Sequence, residues 1–243
     1  MIIGKFDGRL GNNLFQYAVT RSVAEKNGHE HSFVESKFGG NHDYGIDALF
    51  DLDYGVKASS AVYTFEDHHF YDPSVWDVKD FTLLVGYYQS EKYFNHDKVR
   101  QWFTPKLKID DDYDNTCFIH YRAGDYSVYP WNTFQLPIGY YENAIKKMKE
   151  INPILKFVFV TDDAIDVKKK FPSYEVTSRS KEEDFMRLMS AKYLIISNSS
   201  FSWWAAWLNV NNTVIAPGGW LIYKHRNGEY SPKDIKVDRW IWI

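Results

Sequence analysis

Apolar residues follow their most regular pattern between residues 117 and 216, where short apolar runs alternate with amphipathic segments. The runs predict four strands, which are CFIHY, KFVFV, YLIIS and TVIAP. One apolar face at helical spacing lies between them, formed by Ile138, Tyr141, Ile145 and Met148. Two further helices are predicted at EEDFMRLMSA and FSWWAAWL. Buried strands that alternate with helices are typical of a parallel, doubly wound sheet, so the pattern predicts an α/β fold.

The N-terminal part of the chain begins with a predicted strand and helix and then becomes less regular. MIIGKF is the predicted strand, DGRLGNN a glycine-containing connection, and LFQYAVTRSVAEKNG a helix that ends at Gly28. Between residues 30 and 115 only SEKYFNHDKVRQWF predicts a helix, with Ser90 as its cap. The C-terminal half is therefore expected to be the more regular one.

Composition excludes several classes of protein. With 44% hydrophobic and 25% charged residues the chain is globular, and a net charge of −3 disfavours nucleic acid as a partner. Cys117 is the only cysteine, so no intrachain disulfide can form, and a reducing compartment fits best. No stretch approaches the length of a membrane span or of a signal-peptide core. We expect a soluble protein of the cytoplasm.

Polar clusters directly follow three of the predicted strands. They are HYRAGDY, TDD (Thr161, Asp162 and Asp163) and SNSSFS (residues 197–202). Because ligands of open α/β sheets bind at the carboxyl ends of the strands, we expect the chemistry there. His120 and Arg122 are two residues apart, so both can face one ligand from an extended segment. Arginine suits phosphate, although a structural pair between Arg122 and Asp125 explains this stretch about equally well.

Two possible helix starts allow either a ligand site or a simple cap. SNSSFS precedes a predicted helix, and its hydroxyls and backbone N–H groups would attract an anion, above all phosphate. Asn12 and Asn13 follow a glycine-bounded turn and could approach a ligand closely. In both places an ordinary N-cap accounts for the same residues. The common P-loop, dinucleotide, zinc-hydrolase and serine-hydrolase motifs do not occur in the sequence.

Four segments together match a known family pattern: GRLGNNLFQYA, GYYQSEKYF, HYRAGDY and SNSSFSWWAAWL, followed by VIAPGGW. In this order and spacing the sequence resembles the inverting fucosyltransferases of glycosyltransferase family 11, the α-1,2-fucosyltransferases. The resemblance covers residues 8–220. It implies a GT-B-like fold of two Rossmann-type halves with parallel sheets. Residues 1–115 would form the acceptor-side half, and residues 116–243 the donor-binding half.

The resemblance also implies an activity and the residues that carry it. Fucose would pass from GDP-fucose to a hydroxyl of an oligosaccharide or glycoconjugate, the 2-OH of a galactoside, with inversion and without a metal or other cofactor. The catalytic candidates are Arg122 at the diphosphate and Asn12 near the donor phosphate or the reacting sugar. The other candidates would bind the donor. They are His120 and Asp184 at guanine or ribose, Ser199, Ser200 and Ser202 at the β-phosphate, and Asp125, Asp162, Asp163 and Asn198.

The chemistry of these residue types agrees with the resemblance. Negative charge grows on the GDP oxygens as the sugar leaves, and Arg122 with the serine cluster can stabilise it. The sequence departs from the family at Ala123, where a second arginine is common, and at GNN in place of GNQ. Asp7, Glu91 and the scattered histidines are candidates for a general base, and spacing selects none of them.

Two alternatives remain open from the sequence. One is a metal-dependent glycosyltransferase with another donor, for which the D-x-D matches are Asp51 with Asp53 and Asp112 with Asp114. The other is a non-catalytic carbohydrate-binding module on the same fold, which the change at Ala123 would permit. Activity that is insensitive to chelators would argue against the first, and glycan binding unaffected by GDP would argue for the second.

Overall fold

The computed structural model describes residues 1–35, 45–58, 60–107, 113–127, 131–220, 223–225 and 228–243. Across these residues, no helix combines the length and the apolar character needed to cross a bilayer. The chain divides into two compact units. The N-terminal unit comprises Met1–Lys106 and Ser231–Val237, and the C-terminal unit comprises Leu107–Tyr230 and Asp238–Ile243. The late segment joins the N-terminal unit through Asp234, whose Oδ2 accepts the Tyr71 N–H at 2.9 Å.

The N-terminal unit is built on a parallel sheet. Its strands are β1 (Ile2–Phe6), β2 (His31–Glu35), β3 (Tyr63–Glu66) and β4 (Thr82–Val85). Its helices are α1 (Leu10–Asn27), α2 (Ile46–Leu49) and α3 (His96–Trp102), with 3₁₀ helices at Pro73–Asp77 and Glu91–Tyr93. In the strand order β2-β1-β4-β3, β1 has β2, the next strand in the chain, on one side and β4 on the other. The topological switch point, where ligands bind in such sheets, therefore lies between β1 and β4.

The C-terminal unit contains a larger parallel sheet. Its strands are β5 (Thr116–Tyr121), β6 (Lys156–Thr161), β7 (Glu175–Thr177), β8 (Tyr193–Ile195), β9 (Thr213–Ala216) and β12 (Ile241–Trp242). The strands β10 (Tyr223–His225) and β11 (Gly228–Tyr230) form a separate antiparallel hairpin. Its helices are α4 (Ile138–Ile151), α5 (Ala164–Lys170), α6 (Lys181–Ser190) and α7 (Ser200–Leu208), with 3₁₀ helices at Gly124–Ser127 and Trp131–Phe134. The sheet order β12-β9-β8-β5-β6-β7 puts its switch point between β5 and β8.

The predicted α/β fold with parallel sheets is confirmed, and the burial pattern explains why the C-terminal half was the easier one to predict. Its central strands are buried, so they read as nearly continuous apolar runs. The α4 helix covers the sheet with Tyr141, Ala144 and Met148, which are all fully buried. Ile138 belongs to the predicted apolar face but is 41% exposed, because the buried stripe of α4 begins at Tyr140.

Two predictions for the N-terminal half are corrected. The α1 helix begins at Leu10, so Gly11, Asn12 and Asn13 form its first turn, where a connection was predicted. Its end at Gly28, in a left-handed conformation, agrees with the prediction. The segment SEKYFNHDKVRQWF is two short helices with separate caps, since Ser90 caps Glu91–Tyr93 and Asn95 caps α3. The strands β2, β3 and β4 lie in the region where no strand was predicted.

Candidate active site

The switch point of the C-terminal sheet is occupied by His120. This residue is the penultimate one of β5, and its buried Nδ1 lies 2.8 Å from Ser197 Oγ, which follows β8. Its ring packs against Phe201 of α7, with centroids 5.5 Å apart. The hydrogen bond and the ring contact together join the end of β5 to the start of α7.

His120 is neutral at physiological pH. Burial, reinforced by the nearby charge of Arg122, lowers the pKa of the imidazole to about 3. A neutral imidazole has one donor and one acceptor nitrogen, and the Ser197 hydroxyl can either donate to Nδ1 or accept from it. Ser197 and Phe201 were not among the predicted donor-binding residues. Only the strand order, which sets β8 beside β5, gives them this position.

Arg122 directly follows β5 and is held by Asp162, which directly follows β6. The guanidinium and the Asp162 carboxylate form an ion pair, and Asp162 Oδ1 also accepts the Ala123 N–H at 2.9 Å. Gly124 allows this approach, because a Cβ there would lie 2.4 Å from Asp162 Oδ2, and its φ is +26°. The guanidinium carbon lies 5.5 Å from the centroid of the Tyr126 ring. Asp162, predicted to bind the donor, is thus positioned to orient Arg122.

The predicted serine cluster begins α7, but its members differ in exposure. Ser199 is the N-cap residue and Ser200 the first helical residue, and both are partly exposed. Ser202 is fully buried and its hydroxyl donates to the Ser199 carbonyl at 3.2 Å. The buried Asn198 donates its Nδ2 to the Phe134 carbonyl at 2.8 Å, which anchors the segment before the helix. Ser199 and Ser200 are therefore the hydroxyls best placed to reach a ligand.

Asp184 of α6 is a buried carboxylate with unused acceptor capacity. Burial raises its pKa to about 6, although the Arg179 N–H and the Arg187 charge act in the opposite direction. Its Oδ2 accepts the Arg179 N–H at 3.2 Å, and its Oδ1 lies 3.9 Å from Arg187. Within the described part of the chain, neither Asp184 Oδ1 nor Asn198 Oδ1 has a hydrogen-bond partner. Both buried oxygens can accept a hydrogen bond from a ligand.

Aromatic packing links the His120 ring to the α6 helix. Phe185, the residue after Asp184, contacts Phe201 with ring centroids 5.2 Å apart. Phe201 in turn contacts the His120 ring. Phe201 therefore lies between the His120 ring and Phe185, the residue that follows Asp184 in α6.

Two other predicted donor-binding residues have different surroundings. Asp163 is the N-cap of α5, and its Oδ1 accepts the Asp166 N–H at 3.0 Å. Asp125 lies in the 3₁₀ helix Gly124–Ser127, and its side chain falls outside the described part of the structure. An aspartate directly before a helix is a common N-cap, and this position explains the bonding of Asp163.

The switch point of the N-terminal sheet carries neutral amides. We define the amide cluster as Asn12, Asn13, Gln16 and Gln89. Asn12 Oδ1 accepts from Gln89 Nε2 at 2.9 Å, and Asn13 Nδ2 donates to Gln16 Oε1 at 3.0 Å. Gln16 Nε2 donates to the Gly86 carbonyl at 2.9 Å, which links α1 to the end of β4. Asn12, predicted to be catalytic, is thus part of a bonded network.

The two named candidates for a general base also lie in the N-terminal unit. Asp7 follows β1, and its Oδ1 accepts the Gly8 N–H at 3.0 Å. Its backbone is fixed by Gln16, whose Oε1 accepts the Asp7 N–H at 3.0 Å. Glu91 lies in a 3₁₀ helix, and its carbonyl is 2.9 Å from His96 Nε2. Asp7 therefore stands at the carboxyl edge of the sheet beside the amide cluster.

Three of the D-x-D aspartates, Asp51, Asp53 and Asp114, make contacts with residues outside both switch points. Asp51 is 3.7 Å from Lys106, and Asp53 Oδ1 accepts the Gly55 N–H at 2.9 Å. Asp114 lies 3.4 Å from Lys192, and Asp112 is outside the described residues. In the described ranges, no group of three or more His, Cys, Asp or Glu side chains is arranged to hold a metal ion.

Comparisons with known proteins identify the family. An Escherichia coli protein named alpha-1,2-colitosyltransferase is 28% identical over an alignment of 300 residues, which covers 100% of this chain and 99% of that protein. The Escherichia coli O-antigen biosynthesis glycosyltransferase WbnK is 28% identical over 193 residues, which cover 68% of this chain and 61% of that protein.

The fold comparison agrees with this relationship. The crystal structure of NodZ alpha-1,6-fucosyltransferase soaked with GDP-fucose matches with a TM-score of 0.51 at 15% identity, over 85% of this chain and 91% of NodZ, so the predicted GT-B-like fold is confirmed. The family model for glycosyl transferase family 11 matches residues 69–243, well over half of the chain. The protein therefore belongs to glycosyl transferase family 11 and is a glycosyltransferase.

Proposed function

We propose that the protein transfers fucose from GDP-fucose, with inversion and without a metal ion, to a hydroxyl of an oligosaccharide or glycoconjugate, the 2-OH of a galactoside. The observation that carries this proposal is the position of Arg122 at the switch point of the C-terminal sheet, paired with Asp162. Colitose is a second candidate for the transferred sugar, because a relative aligned over its full length is named an alpha-1,2-colitosyltransferase.

Arg122 supplies positive charge where the reaction needs it. Negative charge develops on the phosphate oxygens as the bond to the sugar breaks, and a fixed guanidinium stabilises it without rearrangement. Asp162 fixes the guanidinium in advance, and the N-terminus of α7 with Ser199 and Ser200 adds hydrogen-bond donors nearby in the same unit. One such group is commonly worth about 3 kcal/mol in the transition state, or roughly a hundredfold in rate.

The buried acceptors of the C-terminal unit suit a guanosine nucleotide. Guanine presents adjacent ring and exocyclic N–H donors, and a carboxylate such as that of Asp184 can accept both. Asp184 Oδ1 and Asn198 Oδ1 are buried without a hydrogen-bond partner in the described part of the chain, so a ligand that donates to them would relieve an unfavourable burial. His120 adds a buried neutral imidazole, whose Nδ1 bonds to Ser197 and whose ring contacts Phe201.

A thermal-shift screen of GDP, UDP and ADP in the presence of EDTA tests the donor class. A ligand that binds the native state alone raises the melting temperature, so we expect a rise with GDP and little change with UDP or ADP. An equal response to all three nucleotides would contradict the assignment of guanosine. A response that requires a divalent cation would contradict the metal-independent reaction and favour the D-x-D alternative.

Product analysis tests the transfer itself. Purified protein is incubated with GDP-fucose and a panel of galactosides in EDTA, and the product linkage is read by NMR. We expect an α-linked fucose on the 2-OH of galactose, which is inversion from the β-linked donor. Transfer from GDP-colitose alone would replace the proposed sugar, and a β-linked product would exclude inversion.

A further inference from the structure

Arg187 is a buried arginine of α6 that has no part in the reaction described so far. It is 5% exposed and lies one helical turn after Asp184, which is 7% exposed. We propose that Arg187 is a positioning residue that keeps the Asp184 carboxylate charged and open to the N–H donors of a nucleotide base. This inference rests on the proposed function, in which Asp184 accepts hydrogen bonds from guanine.

Three side chains outside α6 hold the guanidinium of Arg187. Its Nη1 donates to Thr177 Oγ1 of β7 at 3.1 Å, and its Nε donates to the Tyr113 hydroxyl at 3.3 Å. The guanidinium carbon lies 5.9 Å from the centroid of the Phe118 ring in β5. These contacts come from two strands and from the segment before β5, so they fix the position of the charge without a hydrogen bond to Asp184.

The distance between the two charged groups leaves one carboxylate oxygen open to a ligand. Arg187 Nη1 is 3.9 Å from Asp184 Oδ1, which is close enough for an ion pair but too long for a hydrogen bond. Within the described ranges, Asp184 Oδ1 has no hydrogen-bond partner, whereas Oδ2 accepts the Arg179 N–H. A guanidinium bonded directly to Oδ1 would occupy this acceptor. Because Thr177 and Tyr113 hold it back, Arg187 supplies charge and leaves Oδ1 to the ligand.

Arg187 acts more strongly on Asp184 than any other cationic side chain of the described ranges. Glu183, on the same helix, disfavours the ionised carboxylate, and the Arg179 side chain favours it less than Arg187 does. The α7 helix, which packs against α6, carries no titratable side chain. On β7, Glu175 is paired with a lysine of β6 at 2.6 Å. Removal of the Arg187 charge should therefore be felt directly at Asp184.

The charge of Asp184 decides how well it can accept two donors. Burial raises its pKa to about 6, and the Arg179 N–H and the Arg187 charge limit this rise. Without Arg187 the pKa should rise further, so that more of the carboxyl is protonated near neutral pH. A protonated carboxyl presents a hydroxyl donor in place of one acceptor, and it then matches the adjacent N–H donors of guanine less well.

The pH dependence of GDP affinity tests this role. Arg187→Gln removes the charge but keeps a side-chain donor, Arg187→Lys keeps the charge, and Lys192→Gln, at an exposed position of the same unit, is the control. By isothermal titration in EDTA, we expect Arg187→Gln to bind GDP about fivefold more weakly than wild type at pH 6 and within about twofold at pH 8, if Asp184 titrates about one pH unit higher. The ratio at one pH cancels the ionisation of GDP itself. The other two variants should stay within about twofold of wild type at both pH values.

The same measurement separates this role from a purely structural one. A packing defect in Arg187→Gln would weaken GDP binding equally at pH 6 and pH 8, and that result would overturn the inference. Wild-type affinity of this variant at pH 6 would also overturn it. Loss of affinity in Arg187→Lys as large as that in Arg187→Gln would show that charge is not what Arg187 supplies.

Carboxyl ¹³C NMR of the unliganded protein makes the test independent of the donor. The Asp184 signal, assigned with Asp184→Asn, should titrate about one pH unit higher in Arg187→Gln than in wild type. An unchanged midpoint would contradict the role of Arg187. A wild-type protein that binds no GDP would instead contradict the proposed donor, and the titration would still measure the coupling of the two residues.

A second variant covers the case in which Arg187→Gln does not fold. Thr177→Val removes the hydrogen bond that holds the guanidinium and leaves its charge in place. The released guanidinium should then bond to Asp184 Oδ1, which lowers the Asp184 midpoint and weakens GDP binding at both pH values. An unchanged midpoint together with unchanged GDP affinity would overturn the proposal that Arg187 is held back from the carboxylate.

Discussion

The two sheets of this enzyme share one plan but differ in the groups that bond to one another at their carboxyl edges. Each sheet reverses its strand order beside its first strand, between β1 and β4 in one unit and between β5 and β8 in the other. The edge of the C-terminal sheet carries the Arg122–Asp162 ion pair and a neutral histidine. The edge of the N-terminal sheet carries Asp7 and the amide cluster, whose side chains bond to one another and to the Gly86 carbonyl through neutral groups.

The difference suggests that the same type of parallel sheet can serve two different kinds of ligand contact. Charged groups can match a nucleotide diphosphate and the negative charge that grows on it during transfer. Neutral amides bond to oxygens without attracting counter-ions, so they suit a sugar or the fine positioning of a phosphate oxygen. Under the proposed function, the charged edge should contribute most of the catalytic free energy and the amide edge a smaller, orientational share.

The largest predicted effect is the difference in kcat/KM between the variants Arg122→Ala and Asn12→Ala. We expect Arg122→Ala to lower kcat/KM by about a hundredfold or more, because it removes a fixed charge, and Asn12→Ala by about tenfold, because it removes a neutral donor. Steady-state kinetics with the donor sugar measure both, and circular dichroism checks that both variants are folded. Equal losses in the two variants would break the comparison between the edges.

The next effect concerns the buried carboxylate of Asp184 in the α6 helix of the C-terminal unit. The folded-state pKa of Asp184 is about 6, above its ordinary 3.8, so its ionised form is disfavoured by folding at neutral pH. Asp184→Asn should therefore raise the free energy of unfolding at pH 7 by on the order of 2 kcal/mol, while it weakens GDP binding.

The sign of this effect can be checked by pH. Wild-type Asp184 takes up a proton as the pH falls through about 6, so the advantage of the Asn variant should shrink from there and disappear near 3.8. Urea unfolding at several pH values measures the difference. An advantage that grows as the pH falls would mean that the carboxylate is stabilised in its charged form, and would contradict the burial argument.

Two glycines allow a matched test of how tightly each edge is packed. Gly124→Ala places a methyl group against Asp162, and Gly8→Ala places one against Asn12. Both have positive φ, so each substitution should destabilise the protein by about 1–2 kcal/mol. Gly124→Ala should cost more activity, since it displaces the partner of the charged residue. Chemical unfolding and kcat together distinguish the two, and a larger loss of kcat in Gly8→Ala would reverse the expected ranking.

The smallest effect is predicted for Ser197→Ala. Removal of its hydroxyl leaves His120 without the hydrogen bond at Nδ1, which is worth about 1 kcal/mol for a neutral pair. We expect about a fivefold weaker affinity for GDP and a fold that is otherwise intact. Isothermal titration measures the affinity, and Ser190→Ala, at the end of α6, serves as a control. Unchanged GDP affinity would place His120 outside the nucleotide site.

The sequence predicted the strands β5, β6, β8 and β9 because they are largely buried, whereas the more exposed edge strands β7 and β12 were not predicted. Apolar runs such as that of β6 stand out, and polar residues that follow them, such as Arg122 and Asp162, fall at the carboxyl edge by topology alone. In the N-terminal half, β3 exposes most of its residues and carries no apolar run, so the pattern gave no strand there. The spacing of apolar residues therefore predicted strands only where those strands are largely buried.

The contacts that complete each edge could not be predicted, because they join residues far apart in the chain. Ser197 reaches His120 only when β8 is inserted beside β5, and Gln89 reaches Asn12 only when β4 is inserted beside β1. Both insertions depend on strand order, which a single sequence does not reveal. The roles of Asp162 and Asp163 differ for the same reason, since one meets Arg122 across the sheet and the other caps its own helix.

The segment Ser231–Val237 affects the order in which the two units can fold. Its Asp234 completes the N-terminal unit, although more than a hundred residues of the other unit separate it from Lys106 in the chain. During translation the N-terminal unit cannot complete its contacts until Ser231–Val237 has been synthesised. We therefore expect the two units to finish folding at about the same stage. A fragment that ends at Lys106 would lack Ser231–Val237 and the Asp234–Tyr71 hydrogen bond. We expect that co-expression with the remaining residues would be needed to restore this contact.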